Sequence, residues 1–141
     1  MAITHNEVQV QWSGANTLDI LKETTGVSDV VAINTATIAA NISVQATNAE
    51  GTPDHTAQMS IYVQYSTGDT DQDAADEYDT AKHSGWLGQL DTSDATGETP
   101  AQLTAAISPA ASNIKIQAVN ESDSGGDTIT VSARLIEIRA T

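Results

Sequence analysis

Aliphatic and polar residues alternate over several stretches of this chain, and a period of two predicts β-strands with one buried face. Near the C-terminal end, Ile129, Val131 and Ala133 alternate with Thr128, Thr130, Ser132 and Arg134. Upstream, Ile114, Ile116 and Ala118 alternate with Lys115 and Gln117. Residues 120–127 between them are turn formers with two adjacent glycines, so the pattern predicts a β-hairpin. At Leu135 and Ile136 two apolar residues stand side by side, and alternation slips by one before Ile138. A β-bulge, or a strand covered on both faces, would account for the slip.

A second pair lies in the first half. Ile42, Val44 and Ala46 alternate with Ser43, Gln45 and Thr47, while Met59, Ile61, Val63 and Tyr65 alternate with Ser60, Tyr62, Gln64 and Ser66. Strict parity puts Tyr62 on the face opposite Met59, Ile61 and Val63, unless the strand is buried on both sides. Residues 48–54 connect the two runs, and Pro53 among them does not suit a central strand. Shorter candidates are Val8–Val10–Trp12, with Trp12 in the core, then Leu18–Ile20, Val30–Val31–Ile33 and Leu103–Ala105–Ile107. About eight strands with regular turn signals predict an all-β, two-sheet antiparallel β-sandwich, jelly-roll-like or immunoglobulin-like, as one domain over residues 1–141. Residues 1–7 read as an N-terminal arm and residues 66–100 as an irregular acidic loop. Inside that loop, residues 74–82 allow one or two turns of helix with Asp73 as N-cap. Trp86, Leu87 and Leu90 read as a short strand or an apolar anchor.

Composition narrows the picture. The chain has no Phe and two Trp, so its core rests on Ile, Val and Leu. Nineteen acids against five Lys and Arg give a formal net charge of -14. Such a surface repels nucleic-acid phosphates and anionic membranes, so neither partner is expected. It also repels copies of itself, so any oligomer contact must be apolar or screened. With no cysteine, disulfides, thiolate metal sites and cysteine nucleophiles are excluded. The first residues lack a basic region followed by an apolar stretch, so synthesis in a cytoplasm without a secretory signal is expected.

Candidate chemistry is sparse. Asp69, Asp71 and Asp73 have the alternate spacing of a calcium loop, but Ala74 stands where glycine belongs and Thr80 where a bidentate Glu belongs. They leave two readings open, a weak calcium site or a solvated loop tip. His5, His55 and His83 are far apart in sequence and match no ligand or nucleophile pattern. The acids concentrate in polar loops, nine of the nineteen between 66 and 100, where nothing raises a carboxyl toward general-acid duty. No glycine-rich phosphate loop is present. An enzyme is not expected. Trp86, flanked by Gly85 and Gly88, either inserts into a partner or folds back as a core lid.

The second half resembles the small head-decoration proteins of tailed bacteriophages. The stretches concerned are IYVQYS at 61–66, the Asp-rich loop, QLTAAISP at 102–109, NIKIQAVN at 113–120 and TITVSAR at 128–134. The likeness is one of style over residues 38–139. It implies a β-sandwich virion protein that binds the outside of an icosahedral capsid through the major capsid protein, as a homotrimer at local symmetry axes, and reinforces it. It implies assembly in a host cytoplasm and brings no catalytic residues. Apolar Trp86 and Leu87, or Ile3 and His5 of the N-terminal arm, are then the candidate interface. Two other readings stay open: a carbohydrate-binding β-sandwich module, favoured by Trp86, Tyr78 and the Asp69–Asp73 acids, and a tail or fibre subunit.

Overall fold

A computed structural model of the chain describes residues 2–48, 58–66, 84–93, 95, 98–109, 113–122 and 128–140. Ten strands form, and no helix occurs among the described residues. They are β1 (Ile3–Gln9), β2 (Leu18–Ile20), β3 (Thr25–Val27), β4 (Val31–Ala32), β5 (Thr37–Asn48), β6 (Gln58–Ser66), β7 (Ser84–Asp91), β8 (Ala101–Ile107), β9 (Asn113–Asn120) and β10 (Ile129–Ala140). They pair antiparallel in two five-stranded sheets. The first has the order β1-β10-β5-β8, with β2 also on β10; the second has the order β3-β9-β6-β7, with β4 also on β9. The two-sheet sandwich expected from alternation is the fold found.

Each long strand turns one parity inward. In β9 Ile114, Ile116 and Ala118 are buried, and in β10 Ile129, Val131, Ala133 and Leu135. They meet Ile42, Val44 and Ala46 of β5 and Met59, Ile61 and Val63 of β6 in one aliphatic core, with Trp12 almost fully enclosed. Tyr62 falls on the outer face, as parity requires.

The predicted hairpin does not form, and the second pair of runs does not share a sheet either. β9 and β10 lie in opposite sheets, and so do β5 and β6. Alternation shows that two runs share an interior; it does not show whether they share a sheet. The segments 49–57 and 121–128 are longer than the two to five residues of common hairpin loops. Of the long strands, β6 and β7 are the consecutive pair that stay in one sheet.

The slip at Leu135 is also absent. β10 stays in register with β5 through Leu135↔Ile42 and Ile136↔Asn41, and the shift falls between Ile138 and Arg139. Parity therefore continues unbroken, Ile136 and Ile138 point outward, and Glu137 points into the core. The bulged partner is Ile38, which is 56% exposed beside exposed Ala39.

Residues 3–7, expected to belong to an N-terminal arm, form with Val8 and Gln9 the edge strand β1 on β10, from Ile3↔Ala140 to Gln9↔Arg134. Within the stretch 66–100 expected to be irregular, Ser84–Asp91 form β7. The helix suggested for 74–82 lies outside the described residues. A tight turn at Trp12–Ala15 went unread. Trp12 and Ala15 exchange backbone hydrogen bonds of 2.7 and 3.0 Å around Ser13 and Gly14, whose φ values are 50° and 80°. Positive φ at both central residues is the hairpin turn that follows right-handed strand twist. The Asp29 carboxylate accepts both turn amides at 3.0 and 2.9 Å and holds Ser13 in that strained backbone.

The sheets approach closely at Gly88, whose φ is 152° and where a Cβ would lie 3.0 Å from Leu103 Cδ1 across the interior. Gly88→Ala is expected to lower stability by about 1–3 kcal/mol, from strain plus overpacking, as read by urea denaturation. A neutral substitution would show that Leu103 moves aside freely.

Candidate functional site

The sandwich offers two broad outer faces and an open side. On the β1–β10–β5–β8 sheet, register places His5, Glu7 and Gln9 of β1 beside Ile138, Ile136 and Arg134 of β10, and these beside Ala39, Asn41 and Ser43 of β5. The face has two halves. One end is apolar: Ile3 is 54% exposed, Ile38 is exposed, and Ile136, Ile138 and Ala140 are partly exposed. The other end carries Ser43, Gln45, Ser132, Gln102 and Thr104. Between them a shallow trough of about 220 Å³ holds Arg134 Nη1 at 3.4 Å from Glu7 Oε2, both well exposed.

Under the apolar end sits a buried ion pair that the sequence pattern concealed. Glu137 is fully buried, and its Oε1 accepts from Arg139 Nη2 at 2.7 Å. Its Oε2 accepts from the Asn34 amide at 3.0 Å and from the Thr37 hydroxyl. Burial alone would raise this carboxyl. The hydrogen bonds from Arg139, Thr37 and Asn34, with the Arg139 charge, outweigh burial and hold it below the usual carboxylate range. The cluster ties β10 to the turn before β5, directly beneath Ile138 and Ile38.

The outer face of the β3–β9–β6–β7 sheet has another character. A register shift between Ile61 and Tyr62 makes Leu87 the extra residue of β7, so Tyr62 stands opposite Trp86. Trp86 is 65% exposed, whereas Leu87 packs against the core. Of the two readings for this pair, outward anchor fits Trp86 and core fits Leu87. The row continues from Tyr62 to Gln117 and on to Val27. Amides flank it: Gln64 Nε2 donates to Gln117 Oε1 at 3.3 Å, and Gln89 Nε2 donates to Glu121 Oε2 at 2.7 Å.

The four residues expected at an interface thus divide between the sheets. Ile3 and His5 share the apolar face; Trp86 and Leu87 belong to the opposite sheet. Asp69, Asp71 and Asp73 lie outside the described residues, and among the described residues no three His, Asp or Glu side chains converge as metal ligands. The Asp91 carboxylate accepts from the Ser93 hydroxyl at 2.6 Å and from its amide at 3.0 Å, and these bonds lower its pKa at a loop edge. What sequence reasoning missed is the set Ile38, Ile136 and Ile138. The adjacent Leu135 and Ile136, taken for a slip, were the signal.

No protein-family model matches the sequence, and no curated protein matches it. Solved structures do match. A xylan-binding module, CBM15, superposes with a TM-score of 0.57 at 16% identity, covering 97% of this chain and 97% of its own. The VP2 subviral particle of infectious bursal disease virus gives 0.57 at 11% identity over 97% of this chain, and T=1 particles derived from that virus give 0.58 at 12%. This chain spans about a third of the length of those viral proteins, 32% in each case. At such identities the likeness is one of fold, a two-sheet β-sandwich found both in a polysaccharide-binding module and in a viral shell protein.

Proposed function

We propose that this chain is a virion structural protein that fastens onto the outer surface of an icosahedral capsid through the apolar end of the β1–β10–β5 face. The observation that carries this reading is that end itself. Ile3 and Ile38, with Ile136 and Ile138 beside them, stand open to solvent on a protein whose net charge is -14. An acidic protein keeps apart from most neighbours by repulsion, so a cluster of isoleucines on one sheet marks where it makes contact. The buried Glu137–Arg139 cluster beneath keeps that end rigid, which limits the entropy lost on docking. The sandwich likeness to a viral shell protein and the resemblance to phage decoration proteins favour a major capsid protein as the partner. Trimeric assembly would multiply a modest single-site affinity by ~10²–10⁴ without new contacts.

Capsid shells assembled without this chain, mixed with the purified protein and sedimented, test the reading. Wild-type protein should co-sediment to saturation. Ile3→Asp with Ile138→Asp should weaken binding by at least about tenfold, roughly 1.4 kcal/mol, with an unchanged circular-dichroism spectrum. Unaltered binding by that variant, or none by the wild type, sinks the proposal.

A second reading has its own observation. Exposed Trp86 opposite partly exposed Tyr62, with Gln117 and Gln89 alongside, makes an aromatic pair edged by amides. Flat apolar rings with a few polar groups that fix orientation suit a neutral sugar face. Carbohydrate binding through this sheet is expected to show on a glycan array as signal lost in Trp86→Ala and kept in the Ile3→Asp, Ile138→Asp variant. A blank array for the wild type removes this reading and leaves the first untouched.

A further inference from the structure

The open side of the sandwich carries an unfilled strand position. β1 pairs with β10 on one side, and among the described residues no strand pairs with its other edge. The orientation of that edge follows from one bond. Val10 N donates to Ala133 O at 3.0 Å, in the register that runs through β1. In an antiparallel ladder hydrogen-bonded pairs alternate, so Val8, Asn6 and Thr4 also turn their amides toward β10. The amides and carbonyls of Ile3, His5, Glu7 and Gln9 therefore point to the open edge. Natural edge strands are usually guarded by lysine, proline or a bulge, and β1 carries none of these.

Beside the edge, between the two sheets, runs a groove of about 420 Å³ lined by Val8, Gln9, Gln11, Asp29 and the β4 segment Val30, Val31 and Ala32. Val30 is 50% exposed on its wall. Main-chain groups at an edge and an apolar slot beneath alternate positions are the two requirements for adding a strand. The rim carries two carboxylates, Glu7 on the outer face in an exposed pair with Arg134 and Asp29 at the groove accepting from the Ser13 and Gly14 amides, on a chain with nearly four acids for every base. Charge complementarity thus selects the occupant.

We infer that the β1 edge accepts an extended segment of another protein, with aliphatic residues at alternate positions seated toward Val8 and Val30 and a Lys or Arg set against Glu7. As a route of attachment to a shell, this rests on the capsid reading; the acceptor itself does not need it.

The probe is the peptide acetyl-KVTVTVK-amide, added to ¹⁵N-labelled full-length protein. Shifts and slowed amide exchange are expected at Ile3, His5, Glu7 and Gln9 and at Val30 and Val31. Glu7→Pro removes one outward amide, no backbone bond to β10 and only the exposed Glu7–Arg134 pair, and proline is tolerated on edges, so the variant should stay folded and bind the peptide at least tenfold more weakly. His5→Pro is the second variant, with the same expectation. Absent shifts, shifts elsewhere, or equal binding by both proline variants overturn the inference. So does wild-type protein that dimerises alone with those four amides protected, which would give the edge to a second copy. If the peptide binds as described while empty shells fail to bind the wild type, the acceptor stands and the capsid reading falls. If shells bind the wild type and both proline variants alike, the attachment route is overturned.

Discussion

Arg139→Ala should lower the melting temperature by on the order of 10 °C and move acid unfolding to higher pH. The side chain is a quarter exposed, yet it neutralises a carboxylate that has no exposure at all. Removing one partner of a buried pair typically costs 3–5 kcal/mol, because the other charge is stranded. Here Thr37 and the Asn34 amide still hold Glu137, so about 3 kcal/mol is expected, and a domain of this size loses a few degrees per kcal/mol. The pH dependence follows from the lowered pKa. The unfolded chain takes up the proton first, so the contribution of Glu137 is complete above its ordinary value of 4.5 and is lost as pH falls through the lower folded value. Arg139→Ala leaves desolvation unopposed by that charge and raises the folded value, so the contribution shrinks and its loss is complete at a higher pH. Glu137→Gln should flatten this limb of the stability profile. A calorimetric pH series reads both, and an Arg139→Ala midpoint within 2 °C of wild type, about 0.5 kcal/mol, would show that the pair contributes nothing net.

Trp12→Ala should cost about 3–5 kcal/mol, the range for deleting a large enclosed ring, and chemical denaturation measures it directly. Trp12→Phe should cost far less. The indole Nε1 is buried with no hydrogen-bond partner among the described residues, so phenylalanine loses volume but also removes a donor that gains nothing there in the folded state. Equal losses for the two variants would mean that the indole N–H, rather than the ring's volume, is what the fold uses.

The fold class was legible in the sequence because period-two alternation survives in every long strand. Which strands share a sheet was not. β9 with β10, and β5 with β6, look like hairpins to any local reading, since Gly125 and Gly126 or Pro53 reverse a chain whether it returns beside itself or across the core. Only the loop lengths carried a hint. The site was half legible. Ile3, His5 and Trp86 stood out as apolar or unassigned residues near strand ends. Ile136 and Ile138 did not, because Glu137 between them looked like the outward residue. A glutamate on the inner face is the less favourable choice unless a cation is present to meet it, and Arg139, two residues on and on the same face, supplies one.

The pairing of β1 with β10 joins Ile3 to Ala140, the first strand to the last. β10 is made after the eight strands that separate it from β1, so this sheet cannot close until all of them have left the ribosome. The order β1-β10-β5-β8 gives β5 no earlier partner than β8 and leaves β1 waiting for β10. Distant segments must meet before either is rewarded, which places folding among the slow, millisecond-to-second class. Until then the aliphatic strands stay uncovered, and the excess of carboxylates keeps one nascent chain from sticking to the next.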